Sequence, residues 1–167
     1  MPSVAVLAAD GFETIECLTM VDVMRRGGVR ATLVSIMPTR EVVSSLQIPV
    51  TCDALFDEIN FDEYDCVVLP GGLPGTTHLG ESLTVQEGLA YAAQENLWVA
   101  AICAAPTILA QLHITDGRKA TCYPGLEEKM GAAVMTACGA VQDGRVITGR
   151  AAGSADEFGL LCLQALK

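Results

Sequence analysis

The strongest candidate for chemistry is a cysteine that directly follows an apolar segment. Cys103 lies between Ile102 and two alanines, and Pro106 then favours the start of a helix. An apolar strand, a nucleophile among small residues and a helix make up a nucleophile elbow, here with cysteine for serine and alanine for glycine. A thiol at a helix N-terminus feels the positive end of the dipole, which favours the thiolate. We therefore predict Cys103 as a nucleophile; the alternative is a buried structural cysteine.

Two glycines predict main-chain donors near this cysteine. Residues 64–69 are typical of a strand, which Pro70, Gly71 and Gly72 end. Glycine lets main-chain N–H groups turn toward a bound anion without obstruction by a Cβ atom. With the N–H of Ala104, these groups would form an oxyanion hole. The alternative is an ordinary loop, because Pro-Gly-Gly commonly ends an element.

Two glutamates share one face in the first turn of a predicted helix. Glu13 and Glu16 are three residues apart, and Glu16 precedes an apolar pair. A carboxyl group held on the apolar side can stay protonated and donate a hydrogen bond to a thiolate. The alternative is that both acids only complement the helix dipole.

The two histidines do not predict a cysteine–histidine pair. His78 follows the double glycine and His113 ends a predicted helix, so neither has a spacing from Cys103 that indicates a base. We expect each to be a surface or capping residue. A conventional Cys-His-acid hydrolase is therefore poorly supported.

Strands and helices alternate along the chain and would bring these residues together. We predict strands at residues 4–8, 29–36, 64–69 and 97–102, and helices at 14–26, 83–94, 106–112 and 154–166. We also predict an extended excursion over 40–53, and a β-hairpin of 134–138 and 146–148 around the turn 142–145. The pattern indicates an α/β domain whose mostly parallel sheet is covered on both faces. Ligands bind beyond the carboxyl ends of such strands, where loops 9–14, 70–76 and 103–106 lie.

Composition restricts the classes of function. The 167 residues suggest one domain, spanning 1–167, and no apolar run is long enough to cross a bilayer. The formal net charge of −10 disfavours nucleic acid as a partner. Seven cysteines without metal-ligand spacing argue against disulfides and structural zinc, so we expect no metal or cofactor. We expect a cytoplasmic protein that has no signal peptide and binds no membrane.

Four segments carry a resemblance to a known family. They are LAADGFETIE at residues 7–16, VDVMRRGG at 21–28, YDCVVLPGG at 64–72 and AAICAAP at 100–106. The chain resembles the ThiJ/PfpI superfamily, in the branch of the Parkinsonism-associated protein deglycase and its bacterial relatives. The resemblance implies a flavodoxin-like three-layer sandwich and a homodimer. It also implies a reactive Cys103 that oxidises readily to a sulfinate, a protonated Glu16 bonded to its sulfur, and a main-chain donor at Gly72.

The sequence departs from the family pattern at several places. Tyr123 stands where many relatives carry a histidine near the cysteine, which argues against a His-assisted base and against peptidase activity. Arg150 lies in a later segment that is rich in glycine and proline in the family. We expect Glu13, Tyr123 and Arg150 to contact substrate. The chain ends at Lys167, where close relatives add about one further helix, which would leave the site more open.

Three functional hypotheses follow from the resemblance. The first is a glyoxalase or deglycase that acts on 2-oxoaldehydes such as methylglyoxal, or on their protein adducts, without glutathione, metal or cofactor. The second is an oxidative-stress sensor or holdase chaperone without turnover, in which oxidation of Cys103 is the signal. The third, a role in thiamine precursor metabolism or proteolysis, is suggested by family names and not by these residues.

Overall fold

Eleven strands and five helices follow one another in a computed structural model that describes residues 1–167. The strands are β1 (Ser3–Ala8), β2 (Arg30–Ser35), β3 (Glu41–Val43), β4 (Pro49–Thr51), β5 (Ala54–Leu55), β6 (Cys66–Leu69), β7 (Trp98–Ile102), β8 (Lys119–Ala120), β9 (Val134–Met135), β10 (Ala140–Asp143) and β11 (Val146–Gly149). The helices are α1 (Thr14–Arg26), α2 (Gly75–Glu81), α3 (Leu83–Gln94), α4 (Pro106–Gln111) and α5 (Ala155–Ala165).

Seven strands form the central sheet, in the order β10-β11-β7-β6-β1-β2-β5. All neighbours pair in parallel except β10 and β11, which form an antiparallel hairpin at one edge. Strands β1, β6 and β7 lie side by side in the middle. Because parallel strands end at the same edge of a sheet, the loops after these three strands are neighbours. The predicted flavodoxin-like α/β fold is confirmed.

Two cores, one on each face of the sheet, make this a three-layer structure. Alternate residues of β1 supply them: Val4 and Val6 belong to a core that includes residues of α1 and α5, whereas Ala5 and Leu7 belong to one that includes residues of α3 and α4. Side chains of a strand point alternately to the two faces, so a strand buried on both faces must be apolar throughout. This explains the near-continuous apolar runs of the sequence.

The structure corrects the prediction at two places. The strand that pairs with β11 is β10, whereas part of the predicted hairpin arm 134–138 forms β9, which pairs in parallel with β8. The predicted turn is present, with Gly144 at a φ of +61° between β10 and β11. The helix α2 was not predicted, and His78 lies on it and not in a loop.

The extended excursion at 40–53 forms the antiparallel pair β3–β4, as predicted, with Pro49 opposite Val43. It docks on the loop after β1. The N–H of Gly11 donates to the carbonyl of Val43 at 2.8 Å, and the N–H of Ser45 donates to that of Phe12 at 2.8 Å. None of the five helices has the length and apolarity that a bilayer crossing requires.

Candidate active site

The cysteine turn has the strained geometry of a nucleophile elbow. Cys103 has a φ of +68°, a left-handed backbone conformation that residues other than glycine rarely adopt. Two hydrogen bonds hold this turn: the Cys103 N–H donates to the carbonyl of Gly149 at 3.0 Å, and its carbonyl accepts from the N–H of Tyr123 at 2.7 Å. Such strain costs on the order of 1–3 kcal/mol and persists only when the surroundings enforce it.

Glu16 is a buried carboxyl group that lies against the cysteine. It is 2% exposed on the core side of α1. Its Oε1 accepts a hydrogen bond from the N–H of Gly71 at 3.0 Å, while its buried Oε2 accepts none from any protein donor. Burial is the main cause that raises the pKa of Glu16 from 4.5 to about 7, against the lowering effect of the neighbouring Cys103 side chain.

The cysteine thiol is also a weakened acid. Burial, and after it the charge of the neighbouring Glu16 carboxylate, raise the pKa of Cys103 to about 12, against the lowering effect of the Ala104 and Gly72 N–H groups. This is opposite to the direction expected for a thiol at a helix N-terminus. The reason is that the six-residue helix α4 has only a weak dipole, while burial of Cys103, which is only 9% exposed, strongly disfavours the charged thiolate.

The two acids titrate as a coupled unit because their side chains lie against each other in the core. Two such acids release their protons in successive steps that belong to the pair. With the pKa of Glu16 at about 7 and that of Cys103 at about 12, the pair keeps one proton between those values. In that range the proton lies mainly on the sulfur, the weaker acid, and its transfer to the Glu16 carboxylate gives a thiolate that the N–H groups of Gly72 and Ala104 stabilise. The site can therefore present a nucleophile and an adjacent acid together.

Gly71 fits between the two acids because it has no side chain. A Cβ atom there would lie 2.6 Å from Oε1 of Glu16 and 2.7 Å from Cβ of Cys103. The Gly71 N–H donates to Glu16, so the donors that face the sulfur are Gly72 and Ala104. This differs from the predicted arrangement, in which Gly71 also served the oxyanion. Gly72 has a φ of +94°, and a Cβ there would lie 2.7 Å from the carbonyl oxygen of Gly11.

Glu13 is the N-cap of α1. Its Oε2 accepts the N–H of Glu16 at 2.7 Å, and its own N–H donates to the carbonyl of Gly71 at 2.9 Å. The residue thus ties α1 to the loop after β6, and its charge adds to the raised pKa of Glu16. The two glutamates therefore differ in role: one caps the helix, as the alternative interpretation held, and the other lies in the core against the thiol.

The other predicted site residues lie around this pair. The main-chain N–H of Tyr123 donates to the carbonyl of Cys103, and the Tyr123 side chain is about half exposed and accessible to a ligand. The Nη1 of Arg150 donates to the carbonyl of Ala137 at 2.6 Å. Neither histidine is bonded to Cys103, and His113 pairs with Asp116 at 3.0 Å. The prediction overlooked the role of Gly149, whose only sequence signal is a glycine at the end of an apolar strand.

Comparisons with known proteins agree with this geometry. The sequence profile described as "DJ-1/PfpI family" matches residues 2–165. Protein dj-1beta of Drosophila melanogaster is 34% identical over 166 residues, covering 98% of this chain and 89% of that protein. The Parkinson disease protein 7 homolog of Danio rerio is 35% identical over 165 residues, covering 96% of this chain and 87% of that protein. The structure of oxidised Toxoplasma gondii DJ-1 matches with a TM-score of 0.95 at 28% identity, over 99% of this chain and 91% of that one.

The replacement Glu16→Gln tests the buried carboxyl group. The glutamine oxygen can still accept from Gly71, but the side chain no longer ionises. In the folded protein the pKa of Glu16 is about 7 against 4.5 for a free carboxyl group, so its favourable contribution is complete below pH 4.5 and is lost as the pH rises through 7. We expect the variant to exceed the wild type in free energy of unfolding by about 2–4 kcal/mol at pH 8 and to match it near pH 4.5. Chemical denaturation at both pH values measures this.

The matched control is Glu87→Gln, which changes an exposed glutamate on α3. Its stability relative to the wild type should be the same at both pH values. A Glu16→Gln variant that shows the same stability difference at both pH values would show that the carboxyl group is not held neutral by the fold.

Proposed function

The chain belongs to the DJ-1/PfpI family, and on that premise we propose that it is a cysteine-dependent, cofactor-free enzyme of glyoxalase or deglycase type. Its relatives support a DJ-1-type function in stress response, deglycation or chaperoning. The observation that carries the narrower proposal is the buried contact of Cys103 with Glu16, two coupled acids that keep a single proton between pH values of about 7 and 12.

The first step joins the sulfur to the substrate. The Cys103 thiolate attacks the aldehyde carbon of methylglyoxal, and the carboxyl group of Glu16 gives its proton to the aldehyde oxygen. A C–S bond forms, the C=O bond becomes C–OH, and the product is a hemithioacetal. This step leaves Glu16 as a carboxylate, so the same side chain is ready to act as a base.

The second step moves a proton between neighbouring carbons. The Glu16 carboxylate removes the proton from the former aldehyde carbon, giving an enediolate. The N–H groups of Gly72 and Ala104 stabilise its negative oxygen. Glu16 returns the proton to the second carbon, and the hydroxyl proton of the first carbon moves to the oxygen of the second, which gives a thioester of lactate. Water cleaves this thioester to lactate and the free thiol. The balance is methylglyoxal plus water to lactate, with no change in total oxidation level and no need for glutathione.

The burial of the cysteine bears on substrate size. Cys103 is 9% exposed, so a three-carbon aldehyde reaches its sulfur more easily than an adduct on a protein side chain does. Free 2-oxoaldehydes are therefore the preferred substrate class within the proposal. Deglycation of a protein would apply the same two steps to an adduct on an extended segment that can enter the site.

The second candidate function is an oxidation sensor, which the match to an oxidised DJ-1 structure favours. One peroxide converts the Cys103 thiol to a sulfenic acid and water, and a second gives the sulfinic acid and water. The sulfinate oxygens would accept hydrogen bonds from the Glu16 carboxyl group and from the N–H groups of Gly72 and Ala104. In this candidate function Cys103 and Glu16 control oxidation of the sulfur, whereas in the first candidate function the same two side chains carry out turnover of a substrate.

Lactate formation from methylglyoxal tests the enzymatic proposal. The Cys103→Ala variant should form lactate at background rate because it has no nucleophile. Glu16→Gln should lose roughly 10²–10⁴-fold in rate, which is the usual contribution of a positioned acid–base group. The control is Cys138→Ala, which removes the one exposed cysteine and should keep the wild-type rate. Lactate production by Cys103→Ala at the wild-type rate, or a background rate in the wild type, would end the proposal.

Mild peroxide treatment followed by peptide mass spectrometry tests the sensor. We expect the Cys103 peptide to gain two oxygens before any other cysteine peptide does, including that of the exposed Cys138. In Glu16→Gln the sulfinate loses its carboxyl donor, so the peptide should pass on to the three-oxygen state. Uniform oxidation of all seven cysteines, or oxidation of Cys138 first, would argue against a selective sensor.

We also propose that the protein is a homodimer. Ile15, Leu46 and Ile48 are about half exposed or more, and the docking of β3–β4 on the loop before α1 places them on the same side of the molecule. An exposed apolar patch marks an interaction surface. In sedimentation velocity we expect a dimer for the wild type and a monomer for Leu46→Glu. Leu83→Glu, an equally exposed position on α3 across the sheet, should stay dimeric; a monomeric wild type would refute the proposal.

A further inference from the structure

We infer that the protein has a second binding site, for a small organic anion, at the end of the sheet opposite Cys103. A cavity of about 360 Å³ lies between the end of α3, the loop after α4 and the turn that joins β10 and β11. Its lining includes the two arginines Arg118 and Arg145, the amides of Gln94 and Asn96, and apolar side chains such as Leu97 and Ile114.

This cavity is separate from the cysteine site. Val99 and Val146 are paired near the beginnings of β7 and β11, whereas Cys103 follows the end of β7. A strand rises about 3.3 Å per residue, so the four residues from Val99 to Cys103 place the two sites roughly 13 Å apart along the sheet. None of the cavity's lining residues belongs to the loops around the cysteine.

The charge of the lining distinguishes this cavity. It contains two arginines and a histidine but no Asp or Glu, although the chain has twenty acidic and only ten basic residues. Each of the other four large cavities is lined by at least one carboxylate. The cavity is therefore a locally positive concavity in an acidic protein, and such a place attracts anions.

Both guanidinium groups keep most of their donors free. Arg118 is half-buried and gives one hydrogen bond, from Nη1 to the carbonyl of Asp143 at 3.1 Å. The guanidinium carbon of Arg145 lies 5.1 Å from the centre of the Trp98 ring. Neither arginine takes part in any of the four ion pairs of the chain. A guanidinium group has five N–H donors, and its fork matches a carboxylate or phosphate.

Three acids close to the cavity are already bound to other partners, the first being Asp65, whose carboxylate accepts the N–H of Ser3 at 2.9 Å. The Asp143 carboxylate accepts the N–H of Lys119 at 2.8 Å, and Asp116 is paired with His113 at 3.0 Å. No carboxylate of the protein therefore neutralises Arg118 and Arg145, and an anionic ligand would meet two uncompensated charges. Charge-assisted hydrogen bonds of this kind are about twice as strong as neutral ones.

The rest of the lining selects an apolar body for the ligand. Leu97, Leu112, Ile114 and Val146 supply hydrocarbon surface, and the amides of Gln94 and Asn96 add polar groups at the rim. Small-molecule sites combine apolar surface with a few placed polar groups, and the volume of this cavity is near the lower end of their usual range, about 300 Å³. The ligand class is therefore a small molecule that joins one carboxylate or phosphate to an aromatic or branched apolar group.

Calorimetric titration with phenyl phosphate tests this site, and inorganic phosphate and benzyl alcohol separate the roles of charge and ring. We expect saturable binding of phenyl phosphate and at least tenfold weaker binding of either partial probe. Trp98 is the only tryptophan of the chain and touches Arg145, so its fluorescence should change over the same concentration range. Arg145→Gln changes an exposed side chain and should weaken binding at least tenfold, as should Arg118→Gln if it folds.

The matched control is Arg30→Gln, because the Arg30 guanidinium carbon also lies 5.1 Å from the centre of an aromatic ring, that of Tyr64, but outside this cavity. It should bind phenyl phosphate as the wild type does, and so should Cys103→Ser. Equal weakening by Arg30→Gln, unchanged binding by Arg145→Gln, or benzyl alcohol binding as tightly as phenyl phosphate would overturn the proposal. Loss of binding in Cys103→Ser would place the probe at the cysteine and overturn it as well.

Discussion

The contact between a buried carboxyl group and a nearly buried thiol is the constraint on which the rest of this structure depends. Together the two groups form a coupled unit that keeps one proton between pH values of about 7 and 12, because burial raises the pKa of Glu16 to about 7 and that of Cys103 to about 12. A buried ionised group is costly, so the protein must supply compensating donors, and it does so with the main chain at Gly71, Gly72 and Ala104.

Main-chain hydrogen bonds between different elements fix the loops around the cysteine site. The N–H of Glu13 donates to Gly71, which ties the start of α1 to the end of β6, and the N–H of Cys103 donates to Gly149, which ties β7 to β11. These bonds enforce the left-handed backbone at Cys103. The backbone strain is confined to the turn at Cys103, but the groups that hold this turn in place follow the ends of four different strands. A site of this kind needs the sheet order in which β6 lies between β1 and β7.

Local sequence signals were sufficient for the elements that this site needs. The apolar runs of the four main parallel strands, the glycines after α1 and the cysteine turn all depend on neighbours in sequence. The features that were not predicted depend on residues that are distant in the sequence. Residues 134–138 have the composition of a strand, and only tertiary packing decides that β9 pairs with β8 while β10 takes the hairpin edge. The helix α2 escaped prediction because its sequence, Gly-Thr-Thr-His-Leu-Gly-Glu, contains mainly weak helix formers.

The direction of the cysteine's pKa was missed for the same physical reason. A helix N-terminus is visible in the sequence, but the extent of burial is set by the fold around the residue, and here burial outweighs the dipole of a six-residue helix. Glu16 is the opposite case: the apolar pair that follows it indicated its place on the apolar side of the helix, and the structure buries it there.

The charge of the molecule fits the chemistry proposed at its two ends. Methylglyoxal is neutral, so a net charge of −10 does not hinder its approach, whereas the lactate anion is repelled once it forms. The cavity at Arg118 and Arg145 has the opposite character, because it is the large cavity without a carboxylate. An anion bound there would contact the first residues of β7 and β11, the same two strands whose far ends hold Cys103 through Gly149. The cavity and the cysteine turn therefore lie at opposite ends of the same two paired strands.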